Sequence, residues 1–215
     1  MRRHLFGSLF VLACIAASGC TDDTATMWIT GLRAPDENCV ASDILVGAPS
    51  IDPASGASYT AFLSIANAIR GNGTDIANDS NWVALERIEV TLTSASGDSI
   101  DVGSANPYSM PIGGLIPSAA SASEPSEATV VAVILPASAV AALPVGQYVV
   151  ATIQPFGHTL GGIDVEGAPF SMPIFVSAPS SCTRKCPDEA SGADLCTPGQ
   201  DGGCPPLLAS DPACQ

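Results

Sequence analysis

Cysteine is the residue type best placed to do chemistry in this chain, and there are eight: Cys14, Cys20, Cys39, Cys182, Cys186, Cys196, Cys204 and Cys214. Thiolates bind zinc, exchange electrons or close disulfides, and their spacing separates these uses. Only Cys182-x3-Cys186 has a zinc-like interval, with no second pair and no nearby histidine to complete a tetrahedral set. The C-x-x-C of a redox centre is absent. With Cys14 and Cys20 in the N-terminal segment set aside, six cysteines remain, and an even count in an exported chain reads as three disulfides. Five of the six lie between residues 179 and 215, so one of these must pair outside the tail, with Cys39. Which of the fifteen pairings forms is left open by the sequence.

Other reactive side chains are sparse. His158 lies in Phe156-Gly157-His158-Thr159, read as a loop, with Asp164 six residues on and no G-x-S-x-G elbow to supply a nucleophile. Glu86 and Glu89 fall on opposite faces of a strand, which separates two carboxylates that acid/base work would need together. The glycines at Gly71, Gly73, Gly113 and Gly114 lack the rest of a phosphate loop. No catalytic residue and no cofactor is inferred. Calcium is the remaining ligand to weigh: Asp75, Asn78, Asp79 and Asn81 cluster in one polar segment, without EF-hand spacing, so Asp75 and Asp79 are the metal candidates. Trp28 and Trp82 read as core or sheet-edge packing rather than sugar platforms.

The first twenty residues say where such cysteines would sit. Arg2, Arg3 and His4 precede an apolar run from Leu5 to Ala17, and Ala17-Ser18-Gly19 leads into Cys20. This order is that of a secretion signal, too short to span a membrane. It resembles a bacterial lipoprotein signal, which implies that Cys20 is lipidated and becomes the first mature residue. Ala17 stands where a branched residue is usual. A cut before Cys14 would leave an apolar segment of only about eight residues. An ordinary secretory signal is the other alternative. Two or three acyl chains on Cys20 hold far longer than one. Thr21 in place of Asp after that position would favour the outer membrane.

Loss of residues 1–19 leaves 196, with 21 acidic residues against five basic ones and a formal charge of −16. Nucleic acid and anionic lipid are repelled by such a chain. Charged residues make up 13% and aromatic ones 5%, while small and branched aliphatics abound, a composition for β-structure with many turns.

Met27–Leu32 reads as a first strand, followed by a turn at Pro35–Asn38. Tyr59, Ala61, Leu63 and Ile65 share one face of a second, and Ile88, Val90 and Leu92 alternate strictly with Glu89 and Thr91 in a third. Residues 117–128 read as an exposed loop, and Thr129–Leu135, continuously apolar, as a strand buried on both faces or a central one. Ser138–Leu143 has room for one or two helical turns. Gln147–Ile153 and Phe170–Val176 are two further strands, the latter on a sheet edge because it contains Pro173. About seven short strands with Gly/Pro punctuation predict an all-β, immunoglobulin-like antiparallel β-sandwich. The expected organisation is a signal over 1–19, a lipidated tether over 20–26, the sandwich over 27–178 and a disulfide-stapled tail over 179–215.

Several segments resemble uncharacterised cell-surface lipoproteins of myxobacterial type. They are the Trp28-Ile29 strand leading to Cys39, Tyr59–Asn67, Leu85–Leu92, His158–Val176 and Cys196–Cys204, in family order. Ser177-Ala178-Pro179 stands where that family would have a cysteine. The resemblance implies fold and location and carries no catalytic residue. The expected function is that of a structural or recognition module of the cell envelope, bound to the membrane through its lipid and to an envelope protein or glycan. A calcium- or glycan-binding module is the alternative, and a hydrolase the more distant one.

Overall fold

The alternation of Ile88, Val90 and Leu92 with Glu89 and Thr91 builds the middle of β5 (Val83–Ser94), whose three aliphatic side chains are fully buried. β5 pairs along its length with β8 (Tyr148–Thr159) and on its other side with β6 (Tyr108–Ile116). The computed structural model describes residues 25–72, 76–102, 105–121, 123–178, 185–186, 188–203, 210 and 212–214. Within these, β10 (Phe170–Val176) continues the sheet beyond β8, and β3 (Ser50–Ile51) runs parallel to its end. β9 (Asp164–Glu166) adds to the far half of β8.

The second sheet has the order β2 (Ala41–Leu45), β1 (Met27–Pro35), β4 (Tyr59–Asn67), β7 (Ser126–Leu135). The first, second and fifth of the seven long strands among the described residues thus form one sheet, and the third, fourth, sixth and seventh form the other. That division is the Greek-key arrangement of immunoglobulin-like sandwiches, with the fourth strand moved to the opposite sheet from its constant-type position. Inward residues of both sheets, among them Ile29, Leu63, Ile65, Ile88, Leu92, Ile134, Ile153 and Ile174, make one continuous core. α1 (Ala137–Ala142) lies between Pro136 and Pro144 and buries Ala139 and Val140.

Four sequence expectations need correction. The apolar run in β7 is an edge strand of its sheet, not a central one, and Val131 is 54% exposed. Its other side is guarded by β6 of the opposite sheet, where the Tyr108 hydroxyl donates to the Ile134 carbonyl at 2.8 Å. Residues 117–128 are not a simple exposed loop: Ala119 is buried and bridged to Arg70, and Ser126–Ala128 already belong to β7. His158 lies within β8 rather than in a loop. Glu86 and Glu89 share the outer face, because a bulge between Leu85 and Arg87 puts Glu86 and Arg87 both outside while Leu85 and Ile88 stay inside.

Pro173 does mark an edge. Phe175 donates its N–H to Pro49 in the β3 lane, so the alternate positions 171 and 173 face the same way beyond the end of β3. Proline has no N–H to offer there, which blunts this edge against pairing with another strand.

The tail docks through polar groups. α2 (Gly192–Cys196) starts at a glycine because a Cβ at 192 would run into the Pro35 and Asp36 backbone. Gln200 pairs with the backbone of Thr60 in both directions, accepting its N–H at 2.9 Å and donating to its carbonyl at 3.1 Å. Gly199 accepts from Asp52, and Asp201 donates to Ser50, so this tail segment forms an added rung beside β3.

Candidate functional site

Cys39 sits at φ 61° just after the turn that Asp36 organises by accepting the Asn38 and Val40 N–H groups. These two bonds hold the Asp36 carboxyl below its usual range, with the Val40 bond the larger cause. The turn presents Cys39 to α2, and Cys39 is bonded to Cys196 across 157 residues. Cys186 is bonded to Cys214, 28 residues on. Cys20, Cys182 and Cys204 lie outside the described residues, as does Asp75.

Described residues on both sides of the β4–β5 loop converge on Asp79. Its carboxylate accepts the N–H of Asn72 and of Asn81, and the Ser118 hydroxyl donates to it. These bonds, Ser118 first, hold the Asp79 carboxyl below its usual range. Asn81 donates to the Arg70 carbonyl and Asn67 to the Pro117 carbonyl. Asp79 therefore ties the β4–β5 loop to the β6–β7 connection, and donors within the chain account for its burial. Among the described residues, no group of three His, Cys, Asp or Glu side chains is placed to hold a metal ion.

On the outer face of the larger sheet, His158 Nδ1 lies 3.1 Å from Glu86 Oε1. The bulge that turns Glu86 outward creates this pair, and Gly157 permits it by letting the Ala84 carbonyl approach β8. Asp164 is opposite His158 across β9. A carboxylate on one ring nitrogen orients the other, the second half of a general base, but the pair stands on an open sheet face with both side chains substantially exposed. One strand position away, the Arg87 guanidinium covers the Phe156 ring at 4.1 Å. The sequence gives no sign of either contact, since both depend on the bulge.

Between the two sheet edges lies a groove of about 210 Å³, lined by Leu32, Leu45, Pro49, Phe170, Met172 and Pro173 among others. It is apolar and holds no titratable group among its lining residues. Neither a family model nor a curated protein nor a solved structure matches this chain.

Proposed function

We propose that this chain is a lipid-anchored, extracytoplasmic module of a bacterial cell envelope, acting by recognition or as a structural element rather than by catalysis. The observation that carries the reading is the Cys39–Cys196 bond, which closes most of the chain into one covalent loop. Such a bond persists where thiols are not kept reduced. The secretion-type start and Cys20 agree with that compartment and supply an attachment. His158, the sole histidine beyond residue 19, is paired with Glu86 on an open face, an arrangement that suits strand registration better than proton transfer in a cleft. An envelope protein or glycan is the partner class, and the outer membrane the expected site of attachment.

The test is mass spectrometry of the native protein. A diacylglyceryl group on an N-terminal Cys20 peptide, no free thiols after non-reducing alkylation, and recovery in the membrane fraction are the expected results. An unmodified Cys20 peptide or six free thiols would overturn the proposal.

A further inference from the structure

The anchored-lipoprotein reading leaves the orientation of the domain open, and the strand ends bear on it. Met27 lies opposite Asn67, and the Thr26 carbonyl accepts the Ala68 N–H at 2.7 Å, so the chain enters the sandwich beside the loop that follows β4. Asn67 is opposite Ser126, and Val83 is opposite both Ile116 and Thr159. The entry point, the segment to Trp82, the β6–β7 connection and the β8–β9 turn therefore share one end. The disulfide Cys39–Cys196 and the Gln200 and Asp201 contacts occupy the other.

Only six residues separate Cys20 from Met27, a reach of at most about 25 Å even when extended. The 12 residues of β5 span about 40 Å. A lipidated Cys20 thus keeps the entry end within about 25 Å of the bilayer, while the tail end is free to stand up to about 40 Å further out. Both ends expose large apolar side chains, Val40, Val145 and Leu195 at the tail end among them, so the short tether decides which end meets the bilayer. At the entry end, Leu160 is 45% exposed, Ile163 66% and Ile76 46%, although each is a large aliphatic residue. The turn is fixed to the neighbouring loop, since Leu160 donates to the Trp82 carbonyl and Gly161 to that of Ser80, both at 2.8 Å. Half-buried Trp82 suits an interface between headgroups and acyl chains. Among the described residues, the exposed charges here are mixed, with Arg70 against Glu124 and Asp164, and Asp79 is turned inward. Such a surface fits a zwitterionic bilayer better than an anionic one.

We propose that Leu160, Ile163, Ile76 and Trp82 rest on the zwitterionic lipid surface that carries the anchor, leaving the disulfide-clamped tail end to face outward. The proposal rests on lipidation of Cys20. It reassigns the described loop residues 71–72, 76–81, 117–121 and 123–125, natural places for a protein partner, to the membrane side.

Hydrogen exchange tests this on the full chain, comparing the lipidated protein in phosphatidylcholine nanodiscs with the unlipidated Cys20→Ser protein in solution. Exchange at 76–82 and 159–163 is expected to slow by roughly tenfold in the nanodisc, with 196–203 unchanged. A lipidated protein that exchanges equally at 159–163 in both settings overturns the bilayer contact and leaves the anchor standing. A Cys20 without lipid overturns both. Leu160→Ser with Ile163→Ser, at exposed positions that leave the core intact, should abolish the slowing. Slowing that survives this double change also overturns the proposal.

Discussion

The Tyr59 hydroxyl donates to the Asp201 carboxylate, 3.0 Å from one oxygen and 3.1 Å from the other, and so joins the core to the tail across 142 residues. Tyr59 is fully buried, and Asp201, at φ 51°, also accepts the Ser50 N–H at 2.9 Å. Ser50 belongs to the larger sheet and Tyr59 to the smaller, so one tail carboxylate grips both layers. Burial raises the tyrosine phenol far above its ordinary value, with the Asp201 charge adding to the effect. Burial also pushes the Asp201 carboxyl up, against the pull of its two donors.

Removing the hydroxyl tests this grip. Tyr59→Phe strands a buried acceptor and is expected to cost about 1–3 kcal/mol. A folded pKa above the ordinary carboxylate value gives a contribution fully present below that ordinary value and lost as pH rises through the raised one. Urea midpoints from about pH 4 to 8 should therefore show a stability loss on the alkaline side that grows in Tyr59→Phe and flattens in Asp201→Asn. Identical pH profiles for the three proteins would remove the carboxylate from the account.

The long disulfide should dominate unfolding. Chain entropy assigns about 5 kcal/mol to a closed loop of 157 residues and less than 4 kcal/mol, roughly, to one of 28. The double substitution Cys39→Ser with Cys196→Ser is expected to lower unfolding free energy by about 2–5 kcal/mol. Cys186→Ser with Cys214→Ser should cost less and leave the unfolding of the sandwich nearly unchanged, because both partners lie in the tail. Denaturant titrations of the two double variants check the order.

What was legible in the sequence is what local pattern dictates. Ile88, Val90 and Leu92 alternate because one side of β5 is core, and Pro173 marks an edge because it has no N–H. The bulge at Glu86 is invisible in the same stretch, since it depends on Gly157 seventy residues away leaving room for the Ala84 carbonyl. Thr129 to Leu135 looks central by hydrophobicity alone, but its cover comes from a strand of the other sheet, through Tyr108. Gln200 and Asp201 sit in a polar tail with no periodicity, so nothing local announces that they complete the core. The candidate functional surface was least legible, because which loops share an end follows from strand register.

Glu127 offers a pH signature of opposite sign. On the outer face of the smaller sheet, it takes the Thr30 hydroxyl at 2.7 Å and lies 3.6 Å from Arg33, whose Nε donates to Ser64 at 3.0 Å. Hydrogen bonding from Ser64 and then Thr30, with the Arg33 charge behind them, holds its carboxyl below the usual range. Its stabilisation is present above the ordinary carboxylate value and lost as pH falls through the depressed one. The group is solvent-exposed, so the contribution stays below about 1 kcal/mol. Glu127→Gln should melt slightly below the parent protein at neutral pH and coincide with it in acid, which thermal melts across the acid range will read directly.

Gly157 carries the sharpest structural prediction. It lies opposite Leu85 at the β5 bulge, and a Cβ there would overlap the Ala84 carbonyl, a backbone atom held in place by the strands on both sides. Gly157→Ala must therefore part β5 from β8, the longest pairing in the fold, and draw His158 away from Glu86. Overpacking of this kind costs about 1–3 kcal/mol. Gly113 on β6 is the matched control: nothing lies within 4 Å of the point where a Cβ would stand, and its φ is not left-handed. Gly113→Ala is expected to leave stability unchanged or raise it by about 0.4–1 kcal/mol through the unfolded chain. Equal effects at both glycines would mean that the bulge yields, and that the His158–Glu86 pair is not locked by strand register.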